Sequence, residues 1–244
     1  MNKAAYDGIS EEYKNSKQLP FRIYIEEFTI FQLLGNLKGK KVLDLACGEG
    51  IYSRKVKKRG ADQVFGVDIS SKMIELAEKE NPLGCVYQVG DGTSLKKYGE
   101  FDFVLGSYLL NYAKTKEELQ QFCQTICNNL KPGGSFVGFN DNPGNPVEYY
   151  SSYKKYGFWK ETSPDRPEGA TITYCLINPD GTEFSLDNYY LSKETYQKVF
   201  HETGFTELRW KGPWLSPEGE QEMDEGFWDN FLQNPPMTGI LAKK

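Results

Sequence analysis

The sequence predicts an α/β protein with a doubly wound, Rossmann-like sheet of seven strands, mostly parallel with the last strand antiparallel. Three observations support this fold class. Short apolar runs of the buried-strand type alternate with helical patterns between residues 37 and 139. A glycine-rich turn, Cys47-Gly48-Glu49-Gly50, directly follows the first of these runs. Strands separated by helices at this spacing pair in parallel through right-handed crossovers.

The core elements can be placed one after another. Apolar residues at positions 21, 25, 28 and 31 predict a helix from Phe21 to Leu34, which Gly35 ends. A capping box at Thr115 to Glu118 opens the last helix of the core, which has Leu119, Phe122, Ile126 and Leu130 on one face. The five predicted core strands are Lys41–Leu45, Gln63–Val67, Cys85–Val89, Phe101–Gly106 and Ser135–Phe139, and the helices between the first three are Ile51–Arg59 and Ser71–Glu80.

The pattern changes at Asn140. Two extended runs flank the turn sequence Asn178-Pro179-Asp180-Gly181 and predict an antiparallel hairpin over 170–191. We interpret residues 140–191 as an insertion that covers the strand ends as a lid, where ligands bind in such sheets. The single domain then comprises an N-terminal helical lid (1–36), a cofactor-binding core (37–139), this insertion, and a segment (192–244) that completes the sheet with a helix from Lys193 and two strands.

Composition limits the partners of this chain. Its 244 residues carry a net charge of −5, which provides no attraction to nucleic-acid phosphates or anionic lipids and favours a neutral or cationic small molecule. The apolar runs are too short to cross a membrane. Five scattered cysteines without a secretory signal predict free thiols in a reducing cytoplasm, and with a single histidine, His201, no metal site is expected.

The glycine turn and the next strand predict an adenosine-binding site. Gly48 and Gly50 allow a sharp turn and a close approach of backbone to ligand at a helix N-terminus. Asp68 ends the second strand, where its carboxylate can accept hydrogen bonds from both ribose hydroxyls. Asp91-Gly92 follows the third strand, where an adenine amino group could be bound.

The rest of the loop distinguishes S-adenosylmethionine from NAD. A dinucleotide loop requires a third glycine three residues after the second, and this chain has Ser53 there. Asp44 precedes the turn, where its charge would oppose pyrophosphate but favour the ammonium and sulfonium groups of S-adenosylmethionine. We therefore predict S-adenosylmethionine as the cofactor, bound by Asp44, Ala46, Cys47, Gly48, Gly50, Asp68, Ile69, Met73, Asp91, Gly92 and Ser107.

These motifs resemble those of class I methyltransferases over about residues 40–140. Towards both ends the chain is similar to a narrower group, the bacterial N-methyltransferases that act on azapteridine precursors of toxoflavin. The shared segments include Tyr6-Asp7, Gly66–Ile69, Asn111-Tyr112 and Gly226-Phe227-Trp228-Asp229. The resemblance implies that the N-terminal segment closes over the cofactor, with Tyr6 in contact with it. The aromatic segment at 140–180 departs from that group, so its substrate is not transferred to this chain.

The acceptor site is predicted after the fourth and fifth strands and in the hairpin. Its candidates are Tyr108, Asn111, Tyr112, Asn140, Tyr174 and Tyr190, with Tyr108 and Asp141 as the residues closest to the chemistry. Methyl transfer from a sulfonium mainly requires positioning, and a neutral amine needs no base. Because His201 lies on a helix away from the strand ends, the sequence favours N-methylation of a small molecule. The resemblance to the toxoflavin group implies that this small molecule belongs to a bacterial natural-product pathway.

Several alternatives remain open at this stage. A small-molecule O-methyltransferase that acts on a carboxylate or hydroxyl fits most of the same residues. Methylation of a macromolecule, an NAD enzyme and a cofactor-binding protein without transferase activity fit fewer of them. Asn234-Pro235-Pro236-Met237 resembles a motif of amino-methyltransferases, but that motif belongs directly after the fourth strand, and we interpret this copy as a turn.

Overall fold

The computed structural model describes residues 10–244, so Tyr6 lies outside the described residues. The strands are β1 Lys41–Leu45, β2 Gln63–Asp68, β3 Val86–Val89, β4 Phe101–Ser107, β5 Leu130–Asp141, β6 Phe158–Glu161, β7 Thr171–Ile177, β8 Glu183–Tyr189, β9 Glu207–Lys211 and β10 Met237–Lys243. The α-helices are α1 Ser10–Ser16, α2 Glu27–Leu34, α3 Ile51–Lys58, α4 Ser71–Lys79, α5 Lys116–Asn129, α6 Lys193–Glu202, α7 Pro217–Gln221 and α8 Asp229–Gln233. A π-turn at Arg22–Glu26 leads into α2, and 3-10 helices cover Leu110–Tyr112 and Val147–Tyr156.

The main sheet has seven strands in the order β3-β2-β1-β4-β5-β10-β9, which confirms the predicted fold class. Strands β1 to β5 pair in parallel, and β10 runs antiparallel to both β5 and β9. The direction in which the strands are added reverses between β1 and β4. Strands β2 and β3 are added on one side of β1, and β4 and β5 on the other. In such sheets ligands bind at this reversal, beyond the carboxyl ends of the strands.

Helix α5 shows how local sequence sets an element and its buried face. Thr115 caps it by accepting a hydrogen bond from the Glu118 N–H at 3.2 Å, and the Glu118 carboxylate accepts one from the Lys114 N–H at 2.7 Å. The predicted face is buried against the sheet, with Leu119 and Ile126 fully inaccessible. At about 25 cal/mol per Å² of apolar surface, burial of such side chains contributes about 1.5–3 kcal/mol each.

The insertion contains a three-stranded antiparallel sheet, in the order β6-β7-β8. The predicted hairpin is present as β7 and β8, with Tyr174 opposite Leu186, and its turn is closed by the Asn178 N–H on the Thr182 carbonyl at 2.9 Å. Strand β6 was not predicted, because its four residues, Phe-Trp-Lys-Glu, place a lysine where alternation requires an apolar side chain.

The N-terminal helix differs from its predicted periodicity because of the π-turn. A regular helix would place Phe28 and Phe31 on the same face as Phe21 and Ile25. The π-turn inserts one extra residue per turn, so the buried positions after it are Thr29, Ile30 and Leu34, while Phe28 and Phe31 are only half-buried. The turn itself carries two charged residues into the protein, Arg22 and Glu26.

Two non-glycine residues, one after β1 and one after β4, adopt left-handed backbone conformations. Ala46 has a φ of 65° after β1, and Tyr108 has a φ of 61° after β4. Non-glycine residues rarely adopt such angles, and strain of this kind concentrates at functional sites. Both residues therefore lie just beyond the carboxyl ends of the neighbouring strands β1 and β4.

Within residues 10–244, the helices are too short or too polar to cross a membrane. All five cysteines are free thiols, four of them buried. Burial raises the pKa of Cys47 and Cys123 well above the usual range, which keeps these thiols protonated and unreactive.

Candidate cofactor and acceptor site

The glycine turn after β1 is anchored to β2. The backbone N–H groups of Ala46 and Cys47 both donate to the Val67 carbonyl, at 2.8 and 3.0 Å. The Gly48 N–H donates to Asp68 Oδ2 at 2.8 Å, so the carboxylate that was predicted to bind ribose also fixes the turn. Gly48 has a φ of 54°, and a Cβ built on it would meet no atom within 4 Å. This face of the turn is therefore open to a ligand.

A cleft lies against the turn, with about 370 Å³ of empty space when the part open to solvent is included. We call it the loop cavity; its lining residues are Tyr13, Ala46, Gly48, Asp68, Met73, Ser107, Tyr108 and Tyr112. Five of the predicted cofactor residues are thus together, from β1, β2, α4 and β4. Tyr13 was not predicted; it comes from α1, whose polar sequence gives no sign of a ligand site.

The loop cavity fits an adenosine-containing cofactor. The Asp68 carboxylate lies at its edge, as a hydrogen-bond acceptor for ribose hydroxyls requires. Ser107 Oγ is buried and has no hydrogen-bond partner among the described residues, so it is available to a bound group. Together with the open face of Gly48, these residues would hold the cofactor between the ends of β1 and β4.

Asp44, predicted from the sequence as a cofactor residue, is not among the residues that line this cavity. It is 2% exposed inside β1, and its Oδ2 accepts a hydrogen bond from Ser53 Oγ at 2.6 Å. The serine that replaces the third glycine therefore holds the acid. Burial, and to a lesser degree the nearby Asp68 charge, raises the pKa of Asp44 to about 7.

The other predicted cofactor residues lie outside the lining of the loop cavity. Gly50 begins α3 with a φ of 80°, and a Cβ on it would lie 2.5 Å from Tyr87 Oη, so its role in the structure is one of packing. Asp91 Oδ1 accepts hydrogen bonds from the N–H and hydroxyl of Thr93, both at 2.8 Å, and thus caps its own turn. Gly92 packs against Phe122, and Ile69 and Cys47 continue the two loops.

A second cavity adjoins the first. We call it the aromatic cavity; its lining residues are Tyr13, Phe21, Arg22, Tyr108, Tyr112, Tyr174, Leu176, Leu186, Asn188 and Met237. Three tyrosines, Tyr13, Tyr108 and Tyr112, line both cavities and separate them. The inserted sheet contributes the opposite wall. A molecule in the aromatic cavity therefore lies next to one in the loop cavity.

Behind Tyr108 lies a buried carboxylate that sequence reasoning missed. Glu26 is fully inaccessible, and accepts hydrogen bonds from the Tyr108 hydroxyl at 2.6 Å and the Tyr52 hydroxyl at 2.7 Å. Arg22 Nη1 lies 3.1 Å from it and Lys17 Nζ 3.7 Å. Burial alone would raise the pKa of Glu26, but Lys17, Arg22 and the two hydroxyls outweigh it and lower that pKa, so Glu26 is ionised.

The same contacts define the state of Tyr108. Burial, followed by the Glu26 charge, raises the pKa of Tyr108 well above its usual range, so its hydroxyl stays protonated and donates to Glu26. The sequence contains one sign of this buried carboxylate. Glu26 follows Arg22 by four residues within an apolar run, so an acid lies on the buried face of a helix. Tyr108 is thus a hydrogen-bonded wall residue whose protonated hydroxyl is not itself a base.

Asp141 lies in a second buried cluster. Its carboxylate pairs with Lys160 Nζ at 2.9 Å and accepts a short hydrogen bond from the Tyr174 hydroxyl. Lys160, on β6, is fully inaccessible, and its ammonium lies 3.9 Å from the centre of the Tyr150 ring. This ion pair fastens the inserted sheet to the end of β5, so the contacts of Asp141 in the structure are structural ones, and it lines neither cavity.

The remaining predicted acceptor residues surround these clusters. Asn111 is buried and its Oδ1 accepts a hydrogen bond from the Asp141 N–H at 3.1 Å, and Asn140 is fully inaccessible beside it. Tyr190 packs under the Arg166 guanidinium, 4.2 Å from the ring centre. None of these three is among the residues that line the aromatic cavity, whereas Tyr108, Tyr112 and Tyr174 are.

Comparison with known proteins agrees with the geometry of the loop. Residues 42–134 match a family described as "Methyltransferase domain". An uncharacterized protein from Haemophilus influenzae is 34% identical over 149 residues, which cover 56% of this chain and 57% of that protein. A ubiquinone biosynthesis O-methyltransferase from Acinetobacter baumannii is 32% identical over 117 residues, 45% of this chain and 48% of the enzyme. The chain thus spans about half the length of the curated relatives it matches.

Solved structures show the same fold over nearly the whole chain. A structure from Mesorhizobium loti, described as an S-adenosylmethionine dependent methyltransferase, has a TM-score of 0.64 at 18% identity and covers 90% of this chain and 97% of its own. The sheet order and the solved structures show that the chain has the fold of class I methyltransferases, and residues 42–134, which include the glycine turn, match the methyltransferase-domain family. A further structure with this fold, an amino pentose methyltransferase from Micromonospora echinaspora, is described as bound to S-adenosylmethionine; it is 15% identical, has a TM-score of 0.59, and covers 96% of this chain and 94% of its own.

The pKa of Asp44 makes a prediction for cofactor binding. The carboxyl is largely neutral below pH 7 and ionised at pH 8, and a sulfonium nearby favours the ionised form. Binding then releases a proton, so we expect the affinity for S-adenosylmethionine to rise several-fold between pH 6 and pH 8. S-adenosylhomocysteine, which has the same amino group but no sulfonium, should show a smaller rise.

Isothermal titration calorimetry at several pH values measures this, with Asp44→Asn as the control because it keeps the shape and the bond to Ser53. The variant should lose the difference between the two ligands. A pH dependence that is equal for both ligands in the parent protein, or unchanged in the variant, would show that Asp44 does not sense the cofactor charge.

Proposed function

We propose that this protein transfers the methyl group of S-adenosylmethionine to a nitrogen atom of a small molecule. The observation that supports this most directly is the pair of adjoining cavities, which share Tyr13, Tyr108 and Tyr112. Methyl transfer from a sulfonium is an in-line displacement, and holding donor and nucleophile side by side supplies most of the required catalysis. A cofactor in the loop cavity and an acceptor in the aromatic cavity would be held in this way.

The lining of the aromatic cavity favours a small acceptor. Aromatic and aliphatic side chains form most of its wall, as in sites that enclose small molecules. It lies under the inserted sheet and the N-terminal helices, which a macromolecular substrate would have to displace. The net charge of −5 adds no attraction for nucleic acid.

The absence of a histidine from the two cavities supports a nitrogen acceptor. His201, the only histidine of the chain, is exposed on α6, in a surface groove beside β9 that it lines with Phe205 and Leu208. An amine attacks through its neutral form and releases its proton to water after transfer, so it needs no base in the site. Transfer to a hydroxyl usually needs one.

One observation favours the second candidate, a small-molecule O-methyltransferase. The Tyr108 hydroxyl lines the aromatic cavity and donates to ionised Glu26, so the pair could pass the proton of an acceptor hydroxyl to the carboxylate. The similarity to ubiquinone O-methyltransferases agrees with this candidate.

The segment Gly226-Phe227-Trp228-Asp229 does not separate the candidates, although it resembles the azapteridine N-methyltransferases. Trp228 is 4% exposed, donates to the Gly219 carbonyl at 2.8 Å and stacks on Tyr156 with ring centres 5.4 Å apart. Its contacts in the structure are those of a core residue. Asn234-Pro235-Pro236 lies in the turn before β10, as interpreted from the sequence.

Two variants decide between the candidates. For an amine acceptor, we expect His201→Gln to keep turnover within a few-fold and Tyr108→Phe to lower it about 10-fold to 100-fold through lost positioning. The rate should rise with pH along the ionisation of the acceptor amine. Turnover is measured as S-adenosylhomocysteine release over a panel of amines, phenols and carboxylic acids, with mass spectrometry of the products.

A loss beyond about 10⁴-fold in Tyr108→Phe, with cofactor and acceptor still bound, would indicate proton transfer through the Tyr108–Glu26 pair. That result, or methylation of phenols alone, would replace the N-methyltransferase by the O-methyltransferase.

A further inference from the structure

Two polar side chains reach the aromatic cavity with unused hydrogen-bonding capacity. Arg22 comes from the π-turn and Asn188 from β8, and each is only 6% exposed. Arg22 Nη1 donates to Glu26, but its Nε is buried and has no partner among the described residues. The Asn188 side chain lines the same cavity without being one of the fully buried unpaired groups, so it can meet a molecule there. Polar groups buried as deeply as Arg22 Nε are nearly always paired, so the guanidinium points to a ligand group.

The cations next to the cavity outnumber the carboxylates that form ion pairs with them. Lys17 and Arg22 both pair with the one Glu26 carboxylate, while the Lys160–Asp141 pair is neutral by itself. These five groups therefore carry one excess positive charge, and the next acids, Asp44 and Asp68, lie on the side of the loop cavity. The net charge of the whole protein has the opposite sign, −5, and that charge led to the expectation of a neutral or cationic substrate. A buried cation is costly unless an anion balances it.

On the basis of the proposed function, we propose that the methyl acceptor carries a carboxylate, which Arg22 and Asn188 bind in the aromatic cavity. A guanidinium presents its N–H groups in a planar fork that matches a carboxylate, and a side-chain amide adds a further donor. One excess positive charge balances a carboxylate; a phosphate dianion would leave a buried negative charge.

The shape of the cavity restricts the rest of the acceptor. Phe21, Tyr13 and Tyr108 all have ring centres within 5.6 Å of the Arg22 guanidinium carbon, so the donor fork is set among aromatic faces. Aromatic faces pack well against flat rings. The substrate class is thus a small amine with a carboxylate, and a flat ring between the two groups satisfies the walls.

Matched probes test the carboxylate directly. We choose 4-aminobenzoate and 4-aminobenzamide, which share ring, amine and shape and differ in charge. With the loop cavity saturated by S-adenosylhomocysteine, calorimetry should show the acid binding at least 10-fold more tightly than the amide. Equal binding, preference for the amide, or no binding of the acid overturns the proposal.

Variants assign the preference to the two residues. Asn188→Leu, which keeps the size of the side chain, and Arg22→Lys, which keeps the charge next to Glu26, should each reduce the preference for the acid at least 3-fold. Because Arg22→Lys could disturb the buried pair, the double variant Arg22→Met/Glu26→Gln provides a second test: it removes the guanidinium but leaves the excess charge unchanged through Lys17, and it should still reduce the preference at least 3-fold. Arg209→Met, an exposed arginine on β9, controls for loss of positive charge alone.

Two further readouts keep the outcomes distinct. If Arg22→Lys weakens S-adenosylhomocysteine as much as it weakens the acid, Arg22 serves the cofactor and the proposal is wrong. Products from 4-aminobenzoate are analysed before and after mild base. An N-methyl product is stable and supports both proposals. A base-labile methyl ester would contradict N-methylation, while the preference for the acid would still show carboxylate recognition.

Discussion

Replacement of Asp68 by Ala is expected to lower the affinity for S-adenosylhomocysteine at least 10-fold and to leave the protein folded. The carboxylate lies at the edge of the loop cavity, where it can accept from two ribose hydroxyls. Its oxygens already accept from the Gly48 N–H at 2.8 Å and the Ser70 N–H at 2.9 Å. A hydrogen bond to a charged group contributes about 1.5–3 kcal/mol, so loss of even one such bond lowers affinity by about 10-fold to 100-fold.

The loss has two sources that can be separated. Without Asp68 the glycine turn loses an anchor, which adds to the loss of ribose acceptors. Calorimetry with adenosine and with S-adenosylhomocysteine measures both, and Asp62→Ala, which removes an exposed carboxylate at the other end of β2, is the matched control. An unchanged dissociation constant in Asp68→Ala would mean that the adenosine is held elsewhere.

Replacement of Lys160 by Met is expected to lower the free energy of unfolding by about 3–5 kcal/mol, because Asp141 would keep its charge without a buried cation. The pair spans 2.9 Å and Lys160 is fully inaccessible, so water cannot replace the ammonium. Burial lowers the pKa of Lys160. The charge of Asp141 opposes this shift, so the ammonium depends on this one partner to stay protonated. Urea denaturation followed by circular dichroism measures the change.

Two controls make this result specific. Lys97→Met removes the cation of an exposed pair with Glu100 and should leave the free energy of unfolding nearly unchanged. The double variant Lys160→Met/Asp141→Asn removes both buried charges and should regain most of the loss. A single variant as stable as the parent, or a double variant no better than the single one, would show that the pair does not hold the inserted sheet.

The strands, the helices and the cofactor turn could be predicted because local sequence specifies them. The capping box at Thr115, the turn at Asn178–Gly181 and the glycines after β1 act within a few residues of themselves. Asp68 was found for the same reason, since its position follows from the end of β2. Ser53, which stands where a dinucleotide loop has its third glycine, has a role that the sequence does not show, because its hydroxyl holds Asp44.

The groups around the acceptor could not be predicted because their partners are distant in sequence. Glu26 meets Tyr108 across 82 positions, and Lys160 meets Asp141 across 19. A buried charge breaks the apolar periodicity from which helices and strands are recognised, which is why β6 was missed. Asn188 gives no local signal at all, since a polar residue on an edge strand usually faces water.

The π-turn at Arg22–Glu26 has a consequence for how this site could change among relatives. It is equivalent to one residue added to an α-helix, and each residue of a helix turns the chain by about 100°. Deletion of a single codon there would leave the helix and its length almost unchanged, but would rotate Glu26 away from Tyr108 or Arg22 away from the aromatic cavity. Helical register therefore decides which charged side chain, Arg22 or Glu26, faces the acceptor site. One insertion or deletion is enough to change it.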